Sequence, residues 1–400
     1  MRPPDEAAVL CAPPDREGPT DIIRGHPKDF EPGPNRPSTT VAMIKKNTPT
    51  LAELAAAAGV STMSASRAVN LQPGVSPQTR EAILKLASEM GYVANRSAQK
   101  LSGGRSRVLG VLARELDNAF TSALVAGAVR AAAVAGHEVL IYSMVDRTDN
   151  PNSSVLQLLQ QFTDGVIAVL PYQYGFVESL MTAGFPVITI DHHHAHTEWP
   201  SVTADSYGGA RSAMRHLADL GHRRIAFITG NEELESARTR HRAYDDAVAI
   251  HQLDRDAALV QRGDFSARGG RDAMQRLLKL KQRPTAVFAA NDQSAFGAIS
   301  VLQAAGLRVP EDMSVVGFDD VPSASQLHPA LTTVRQPIAE MGRAAVNSLL
   351  GLVAGLDVAT PHITLPTELQ IRQSTADVVP RPVARSVKVA AAKPKSRRSA

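Results

Sequence analysis

The chain is almost without cysteine and has no long apolar run, and each shortage excludes a class of protein. Cys11 is the only cysteine among 400 residues, which excludes an intrachain disulfide and a cysteine metal cluster. No segment reaches the roughly 18 consecutive apolar residues of a membrane span. The first residues lack the order of basic, apolar and small residues found in a secretory signal. We therefore expect a cytoplasmic protein with no membrane partner.

The composition is that of a globular protein with a substantial core. Apolar residues make up 44% of the chain and charged residues 20%. At roughly 100–200 residues per domain, this length predicts two or three domains.

Positive charge is concentrated in two short parts of the chain. Residues 1–46 are neutral, 47–107 carry +4, 108–377 carry −7 and 378–400 carry +7, which together give the net charge of +4. Such asymmetry favours a polyanionic partner that is bound by a minor part of the chain.

Both ends of the chain show no apolar period. Residues 1–46 are rich in proline and charge and are expected to be disordered, with Met43 as the expected native start. Residues 378–400 alternate small residues with Lys and Arg and are also expected to be disordered. This basic tail is either a solvated terminus or a source of extra non-specific attraction to phosphates.

Residues 47–95 predict three short helices and no strand. Gly59 ends the first helix, Ser61 caps the second, Ser76-Pro77 opens the third, and Gly91 ends it. The apolar residues at helical spacing are Leu51, Leu54, Ala55 and Ala58, then Ala65, Ala68 and Val69, then Ile83, Leu84, Leu86 and Ala87.

From residue 108 onward, apolar runs alternate with helical stretches, which predicts an α/β fold. Continuous Val, Ile and Leu runs are typical of parallel strands that are buried on both faces. Because about 270 residues are too many for one doubly wound sheet, we expect two lobes of parallel sheet with a ligand between them, beyond the carboxyl ends of the strands. The predicted strands are Val108–Leu112, Val139–Tyr142, Val166–Leu170, Val187–Ile190, Ile225–Ile228, Ala286–Ala289 and Ser314–Phe318.

Residues 51–70 have the pattern of a helix-turn-helix. Gly59 allows the sharp turn, Val60 fills the gap between the helices, and the second helix begins after Ser61 with Thr62 and Met63 exposed. The alternative is a small helical hairpin packed on the α/β core.

This segment resembles the LacI/GalR transcriptional regulators, and the resemblance extends over about residues 49–377. Glu53 replaces the family's aspartate, Ser64 its threonine and Ala65 its valine. The matching residues of the motif are Glu53-Leu54-Ala55, Ala58-Gly59-Val60-Ser61, Ser66-Arg67 and Asn70, followed by Val75-Ser76, Thr79-Arg80, Leu86-Ala87, Gly91-Tyr92, Asn95, Ala98 and Leu101.

The resemblance implies a set of DNA contacts. Thr62, Met63 and Arg67 would face the major groove, with Arg67 reading a guanine and Met63 offering apolar contact only. The residues expected to bind phosphates or to cap helices are Ser61, Ser64, Ser66, Asn70 and Thr79. Residues 96–107 match the family's hinge helix and linker, where Leu101 would wedge into the minor groove; the alternative is a core leucine.

The α/β part resembles the family's effector core, which is similar to periplasmic sugar-binding proteins. The matching stretches are His216-Leu217, Leu220–Ala226, Asn291–Gly297, Val316–Asp320 and Leu331–Pro337. The positions implied for a sugar or sugar-acid effector are Asp191, Arg240, Asn291 and Asp319, with Asp117 and Phe120 lining the near lobe. Arg238 or Arg242 is the alternative to Arg240 as the arginine of the cleft. For Asp205 and Asp320, the alternative to a ligand contact is a role as a helix cap.

The sequence offers little support for a metal site or an enzyme. His192, His193, His194 and His196 are too close along one loop to converge on one ion, and no paired carboxylates accompany them. Trp199, in the same loop, would cover the cleft. No nucleophile and base, phosphate loop or spaced general acid pair is found, and no cofactor is expected.

We therefore predict a homodimeric repressor, or a dimer of dimers, that binds double-stranded operator DNA under the control of a sugar or sugar acid. A corepressor-dependent repressor of the purine type and an activator of the same family are the alternatives within it. A sugar-binding transport protein would carry a signal peptide and no helix-turn-helix, so this reading is disfavoured.

Overall fold

The computed structural model describes residues 49–92, 105–144, 153–170, 175–356 and 362–378. Leu101 and nearly all of the predicted terminal extension, hinge and tail lie outside these residues. Within the described part of the chain, no helix has the length and apolar character needed to cross a membrane. The contacts divide the chain into two units, one that ends at Ala94 and one that begins at Asn95.

Residues 49–92, the described part of the first unit, form three helices that pack on one small apolar cluster. They are α1 (Leu51–Ala57), α2 (Thr62–Val69) and α3 (Pro77–Met90). Gly59 has a φ of 64°, and Val60 packs against the cluster built on Leu54, Ala68 and Ile83, as the motif predicts. The expectation for Leu84 is wrong, because its side chain is 39% exposed on the outer face of α3.

The second unit contains two six-stranded sheets, each the centre of one lobe. Lobe 1 has the strand order β11-β5-β4-β3-β1-β2, all parallel, and lobe 2 has β12-β10-β9-β8-β6-β7, in which only β12 is antiparallel to its neighbour. The strands are β1 (Val108–Ala113), β2 (Glu138–Ser143), β3 (Gly165–Val169), β4 (Val187–Ile190), β5 (Ser201–Ala204), β6 (Ile225–Ile228), β7 (Val260–Gln261), β8 (Ala286–Ala289), β9 (Ser314–Asp319), β10 (Thr332–Arg335), β11 (His362–Leu365) and β12 (Glu368–Gln370).

Helices cover the sheets of both lobes. They are α4 (Ala119–Val134), α5 (Ser153–Phe162), α6 (Gly175–Thr182) and α12 (Ile338–Val353) in lobe 1, and α7 (Ser206–Asp219), α8 (Glu235–Ile250), α9 (Ala267–Leu278), α10 (Asp292–Ala304) and α11 (Pro322–Gln326) in lobe 2.

Seven strands were predicted from apolar runs, and all seven are present. The run at Val139–Tyr142 does not form a doubly buried strand, because β2 is an edge strand with partly exposed side chains. Five strands were missed, namely β5, β7, β10, β11 and β12. They are two to four residues long. β7, β11 and β12 lie at sheet edges, where burial imposes no continuous apolar run, whereas β5 and β10 are interior strands that carry Ser and Thr in place of an apolar run.

The chain crosses between the lobes three times. The crossings lie at Asp205, between β5 and α7, at Gln336-Pro337, between β10 and α12, and at Pro366-Thr367, between β11 and β12. The first and third crossings are joined, because the Thr367 hydroxyl donates to the carbonyl of Asp205 at 3.0 Å. These connections bring the carboxyl ends of the strands of both lobes to one cleft.

Glycines allow a close helix crossing in each lobe. In lobe 1, a Cβ at Gly127 of α4 would overlap the carbonyl oxygen of Ala339 on α12, and one at Gly342 would overlap that of Leu124. In lobe 2, Gly270 of α9 and Gly297 of α10 pack in the same way. These helices start at the cleft, so their packing helps to fix the residues that line it.

Gly127→Ala should lower the thermal unfolding midpoint, because the added methyl group overpacks the α4–α12 crossing at a cost of about 1–3 kcal/mol. The measurement is differential scanning calorimetry of the full chain. Gly175→Ala is the control, since a Cβ there meets no neighbour within 4 Å. Equal midpoints for both variants would contradict the packing.

Candidate functional site

A cavity of about 590 Å³ lies between lobe 1 and lobe 2. Its volume falls within the range of about 300–1,000 Å³ of small-molecule sites. All six positions predicted for an effector line this cavity: Asp117, Phe120, Asp191, Arg240, Asn291 and Asp319. Four of them follow the carboxyl ends of strands, Asp319 is the last residue of β9, and Arg240 lies on α8, so the sheet topology brings together residues from both lobes.

Asp191 follows β4 in a left-handed backbone conformation, with a φ of 59°. Its Oδ1 accepts from the backbone N–H of His192 at 2.9 Å and of Ser236 at 3.3 Å, and the second bond reaches across to lobe 2. Oδ2 is buried and has no hydrogen-bond partner among the described residues. Burial raises the pKa of this carboxyl, while its hydrogen bonds and the nearby Arg240 oppose the shift. A strained, half-satisfied carboxylate of this kind is typical of a functional position.

Arg240 is the buried cation of the cavity. Its Nη1 donates to the carbonyl of Ala290 at 2.7 Å, and its guanidinium carbon lies 3.7 Å from the ring centre of Phe318. Its Nε is buried without a hydrogen-bond partner among the described residues. Burial lowers the pKa of the guanidinium, and the carboxylates of Asp319 and Asp191 oppose this. The planar group is therefore held by stacking and still has donors to offer to a ligand.

Asp319 ends β9 with a φ of 130°, again outside the usual region for a residue with a side chain. Its Oδ1 accepts from the Gln336 amide at 2.6 Å, and its backbone carbonyl accepts from the Gln336 N–H at 3.2 Å. Burial raises the pKa of this carboxyl to about 7, although Arg240 lowers it. Asp319 is thus hydrogen-bonded to Gln336, which starts the second crossing between the lobes.

Asn291 is partly committed to the fold. Its Oδ1 accepts from the Ser294 N–H at 3.0 Å as the cap of α10, and its Nδ2 donates to the Phe265 carbonyl at 2.9 Å. One amide hydrogen and one lone pair remain for a ligand.

The neighbouring Asp292 is a structural carboxyl that sequence reasoning missed. It accepts from the Val321 N–H at 2.9 Å and from the Thr333 hydroxyl at 2.5 Å. Burial, together with the charge of Asp319, raises its pKa well above the usual value. It ties the start of α10 to the loop after β9 and to β10.

The structure decides between the alternatives that the sequence left open. Arg238 is exposed, and Arg242 lies over the ring of Tyr207 at 5.4 Å, so Arg240 is the buried arginine of the cleft. Asp205 caps α7 through the N–H of Gly208, as expected. The cap expected at Asp320 is wrong, because its carboxylate pairs with Arg335 at 2.7 Å and Arg372 at 2.6 Å.

The histidine loop joins the two lobes beside the cavity. His193 forms a β-bridge with Leu234, and its Nε2 lies 3.2 Å from a carboxylate oxygen of Glu233. His194 donates from its backbone to the Glu233 carbonyl at 3.0 Å, and Glu235 donates in the same way to the His192 carbonyl at 3.1 Å. In the described part of the chain, no three His, Cys, Asp or Glu side chains are grouped so that they could hold a metal.

Trp199 does not cover the cleft, so that expectation is wrong. Its ring stacks on His196 with 4.1 Å between the ring centres, and it is buried in the apolar cluster of lobe 1 with Leu112 and Leu159. An apolar surface of this size is better satisfied inside the lobe than at the mouth of a polar cavity.

Several residues of the cavity were not found from the sequence. They are spread over loops and first turns of helices, where single polar or aromatic residues give no periodic signal. Those with polar or aromatic side chains include Tyr207, Ser236, Thr239, Asp264, Phe265 and Gln336. These residues share a position near a strand end or a helix start. Many other residues share that position, so it identifies the cavity only once the strand order is known.

The second candidate surface is the exposed face of α2 in the first unit. Thr62, Met63 and Arg67 are exposed, and Met63 is exposed to 63%. The opposite face buries Ala65 and Ala68. The second helix therefore presents the three residues predicted to read base edges.

The residues predicted to bind phosphates or to cap helices make local hydrogen bonds. Ser61 caps α2 through the Ser64 N–H at 3.1 Å, and the Asn70 amide donates to the Ser66 hydroxyl at 3.3 Å. The Thr79 hydroxyl lies 2.7 Å from that of Ser76, the cap of α3. The capping role is thus confirmed for Ser61, while phosphate contacts stay a prediction.

Two family models match the chain. Residues 50–95 match "Bacterial regulatory proteins, lacI family", and residues 214–375 match "Periplasmic binding protein-like domain". The first match covers the three-helix unit, and the second covers most of lobe 2 together with β11 and α12.

Relatives match over most of the chain. The transcriptional repressor CytR of Escherichia coli K12 is 32% identical over 82% of this chain and 96% of its own length. The transcriptional regulator CelR of Thermobifida fusca is 32% identical over 83% of this chain and 100% of its own length. A crystal structure of the lac repressor dimer, bound to operator and the anti-inducer ONPF, has a TM-score of 0.73 at 32% identity and covers 82% of this chain and 99% of that chain.

Asp319→Asn should remove a pH dependence of folding stability. The pKa of this carboxyl is raised to about 7 in the folded protein, so the folded state holds a proton that the unfolded state has lost. The free energy of unfolding should therefore fall as the pH rises from about 4 to about 7, by at most about 1.4 kcal/mol per pH unit from this group.

The measurement is chemical unfolding of wild type and variant between pH 4.5 and 8. The variant should gain stability relative to wild type as the pH rises. Asp264→Asn is the control, since this carboxylate lies in the same cavity but is exposed. A constant difference between Asp319→Asn and wild type over this range would show that the carboxyl ionises normally.

Proposed function

The chain belongs to the lacI family of bacterial regulatory proteins, and we propose that it is a repressor whose affinity for operator DNA is controlled by a small sugar-type effector bound between lobes 1 and 2. It is a DNA-binding transcriptional regulator and not an enzyme. The observation that supports the effector is the convergence of Asp191, Arg240 and Asp319 in one cavity. We propose a cytoplasmic location, where its DNA partner is found.

The proposed DNA contacts follow from the exposure of α2. Arg67 reads a guanine through its paired donors, while Thr62 and Met63 contact neighbouring bases. The hydroxyls of Ser61, Ser64, Ser66 and Thr79 and the amide of Asn70 position the unit on phosphates. The two copies of this unit in a homodimer fit the two half-sites of a near-palindromic operator.

The effector proposal rests on the hydrogen-bonding groups of the cavity that remain unused. Oδ2 of Asp191 is an acceptor and Nε of Arg240 a donor, and neither has a partner among the described residues. A buried polar group without a partner costs free energy that a ligand recovers. Hydroxyl groups both donate and accept, so a polyhydroxyl ligand satisfies such a pair. Phe120 and Phe265 also line the cavity and offer aromatic surface to the apolar face of a sugar.

Closure of the lobes is the proposed link to DNA binding. The bridge between His193 and Leu234 and the bond from Ser236 to Asp191 form only when the two lobes approach each other. A ligand that contacts Asp191 and Arg240 at once therefore favours the closed state. It shifts the population of DNA-binding dimers by its difference in affinity for the two states.

Named complexes of similar proteins agree with a sugar-type effector. A structure of CelR with cellobiose has a TM-score of 0.63 at 32% identity. A LacI-family regulator from Enterococcus faecium with bound ribose has a TM-score of 0.61 at 27% identity.

A corepressor-dependent repressor or an activator is the alternative to a repressor that an inducer releases. Induction and corepression are distinguished by adding the effector to a preformed protein–DNA complex. Release of the DNA supports an inducer, and tighter binding a corepressor.

Arg67→Ala should lose discrimination between the best duplex and its single-base variants. Loss of a paired contact to guanine costs about 1–3 kcal/mol, which is about 5- to 150-fold in affinity at that base pair. The duplex is first selected from a random library with the full chain, and affinities are measured by fluorescence anisotropy at fixed salt. Lys85→Ala removes the same charge from α3 and should weaken all duplexes alike. Unchanged discrimination by Arg67→Ala would overturn the reading role of α2.

Arg240→Ala should leave affinity for the selected duplex intact and abolish the response to the effector. The effector is identified by a thermal-shift screen of sugars with the full chain, and the response is the change in duplex affinity at saturating sugar. Arg238→Ala is the matched control, because it removes an exposed arginine two residues away on the same helix. A normal response of Arg240→Ala to the sugar would show that the effector does not act through this cavity.

A further inference from the structure

We propose that the cavity selects an uncharged, hydroxyl-rich effector and rejects sugar acids and sugar phosphates. This inference rests on the proposed function, because it concerns the ligand of the same cavity. It narrows the expectation from the sequence, which allowed a sugar or a sugar acid.

The charges around the cavity are strongly unbalanced. Among the described residues, seven acidic side chains line it, against the two arginines Arg114 and Arg240, one histidine, His192, and no lysine. The acidic residues are Glu115, Asp117, Asp191, Asp205, Glu235, Asp264 and Asp319. Even with both buried carboxyls protonated, the acidic side chains exceed the arginines by three. A ligand carboxylate or phosphate would therefore be repelled on its way in.

Neither arginine is free to attract an anion. Arg114 lies at the rim, where its Nε is 3.7 Å from the carboxylate of Glu115 and both side chains are more than half exposed. Arg240 lies among Asp191, Asp319 and Asp292, whose charges all act on its guanidinium. An anionic ligand at Arg240 would bring a further negative charge close to these carboxyl groups, whereas a neutral ligand can accept from the unpaired Nε without adding one.

The helix N-termini around the cavity do not supply an anion site either. The side chains of Asn118, Asp205, Ser266 and Asn291 line the cavity and cap α4, α7, α9 and α10, each by accepting a first-turn N–H. The N–H of Ser236 in α8 is bonded to Asp191. At each of these five helix starts, one of the backbone N–H groups that could hold a phosphate is thus already bonded to a side chain. Two of the five accepting side chains, Asp205 and Asp191, are carboxylates.

Three buried atoms of the described cavity residues have no hydrogen-bond partner, namely Oδ2 of Asp191, Nδ1 of His192 and Nε of Arg240, and the first and last of them match a hydroxyl. Oδ2 of Asp191 can only accept when it is ionised, and Nε of Arg240 can only donate. The hydroxyls of a sugar can satisfy both, since a hydroxyl donates to a carboxylate and accepts from a guanidinium. A ligand carboxylate accepts from Arg240 but has no proton to give to Asp191, so it leaves one buried charge unsatisfied and adds another.

The test is isothermal titration calorimetry of the full chain at pH 8 with matched sets of probes. The sets are glucose, gluconate and glucose 6-phosphate, then ribose and ribose 5-phosphate, then cellobiose and cellobionate. In any set that binds, we expect the neutral member to bind at least about tenfold more tightly than its anionic partners. Residual binding of an anionic member should strengthen as salt is raised, because salt screens repulsion.

The double variant Glu115→Gln with Glu235→Gln removes two charges at the cavity. It should narrow the preference for the neutral member by about two- to threefold per charge at low salt. Glu178→Gln is the control, because it removes an exposed carboxylate of α6 that does not line the cavity. An unchanged preference in the double variant would show that shape, and not charge, rejects the acids.

The outcomes separate this inference from the function on which it rests. If a sugar acid or sugar phosphate binds more tightly than its neutral partner, the charge selection is overturned and the sugar-type effector stands. If no probe of either class binds, the sugar-type effector fails, and the selection falls with it.

Discussion

One buried electrostatic group, Asp191 with Arg240 and Asp319, constrains the rest of the core. Two carboxyls and a guanidinium are taken out of water at the junction of the lobes, and such burial is tolerated only when the charges are close to one another and their hydrogen bonds are supplied by the surroundings. The fold supplies them through Ala290, Gln336 and the start of α8. The group is nevertheless incomplete, since an acceptor and a donor stay unsatisfied among the described residues. Incomplete satisfaction at a junction is the physical basis for a ligand that closes the lobes.

The packing around these three residues explains how ligand binding beside them can displace helices of both lobes. Asp319 is bonded to Gln336, and Gln336 leads directly into α12 of the other lobe. The α12 helix crosses α4 at a contact that only glycine permits, at Gly127 and Gly342. Helices packed this closely transmit a displacement as rigid bodies, because the interior has no free volume to absorb it. The connection between the lobes is therefore stiff where it meets the ligand cavity.

The DNA-binding unit depends on much more local physics. The caps Ser61 and Ser76, the turn at Gly59 and the helix end at Gly91 are each set by the preference of one residue for one backbone conformation. The cluster built on Leu54, Ala68 and Ile83 then fixes which face of α2 is exposed. Leu84 did not follow the predicted apolar face of α3. The cluster takes up Ile83, Leu86 and Ala87, and Leu84 stays 39% exposed.

By itself, the sequence determined the helix-turn-helix and the α/β class with two lobes, because caps, turns and buried strands leave short-range patterns. The six positions that line the cavity came from the resemblance to the family. Only the tertiary structure decided that Arg240, and not Arg238 or Arg242, is buried in the cavity, that Asp320 pairs with arginines, and that Trp199 belongs to the core. It also decided the charge of the cavity. Asp191 and Asp319 are 128 residues apart in the chain, and their meeting depends on the strand order of two sheets and three crossings between them. No local pattern carries that information, because the neighbours that matter are distant in sequence.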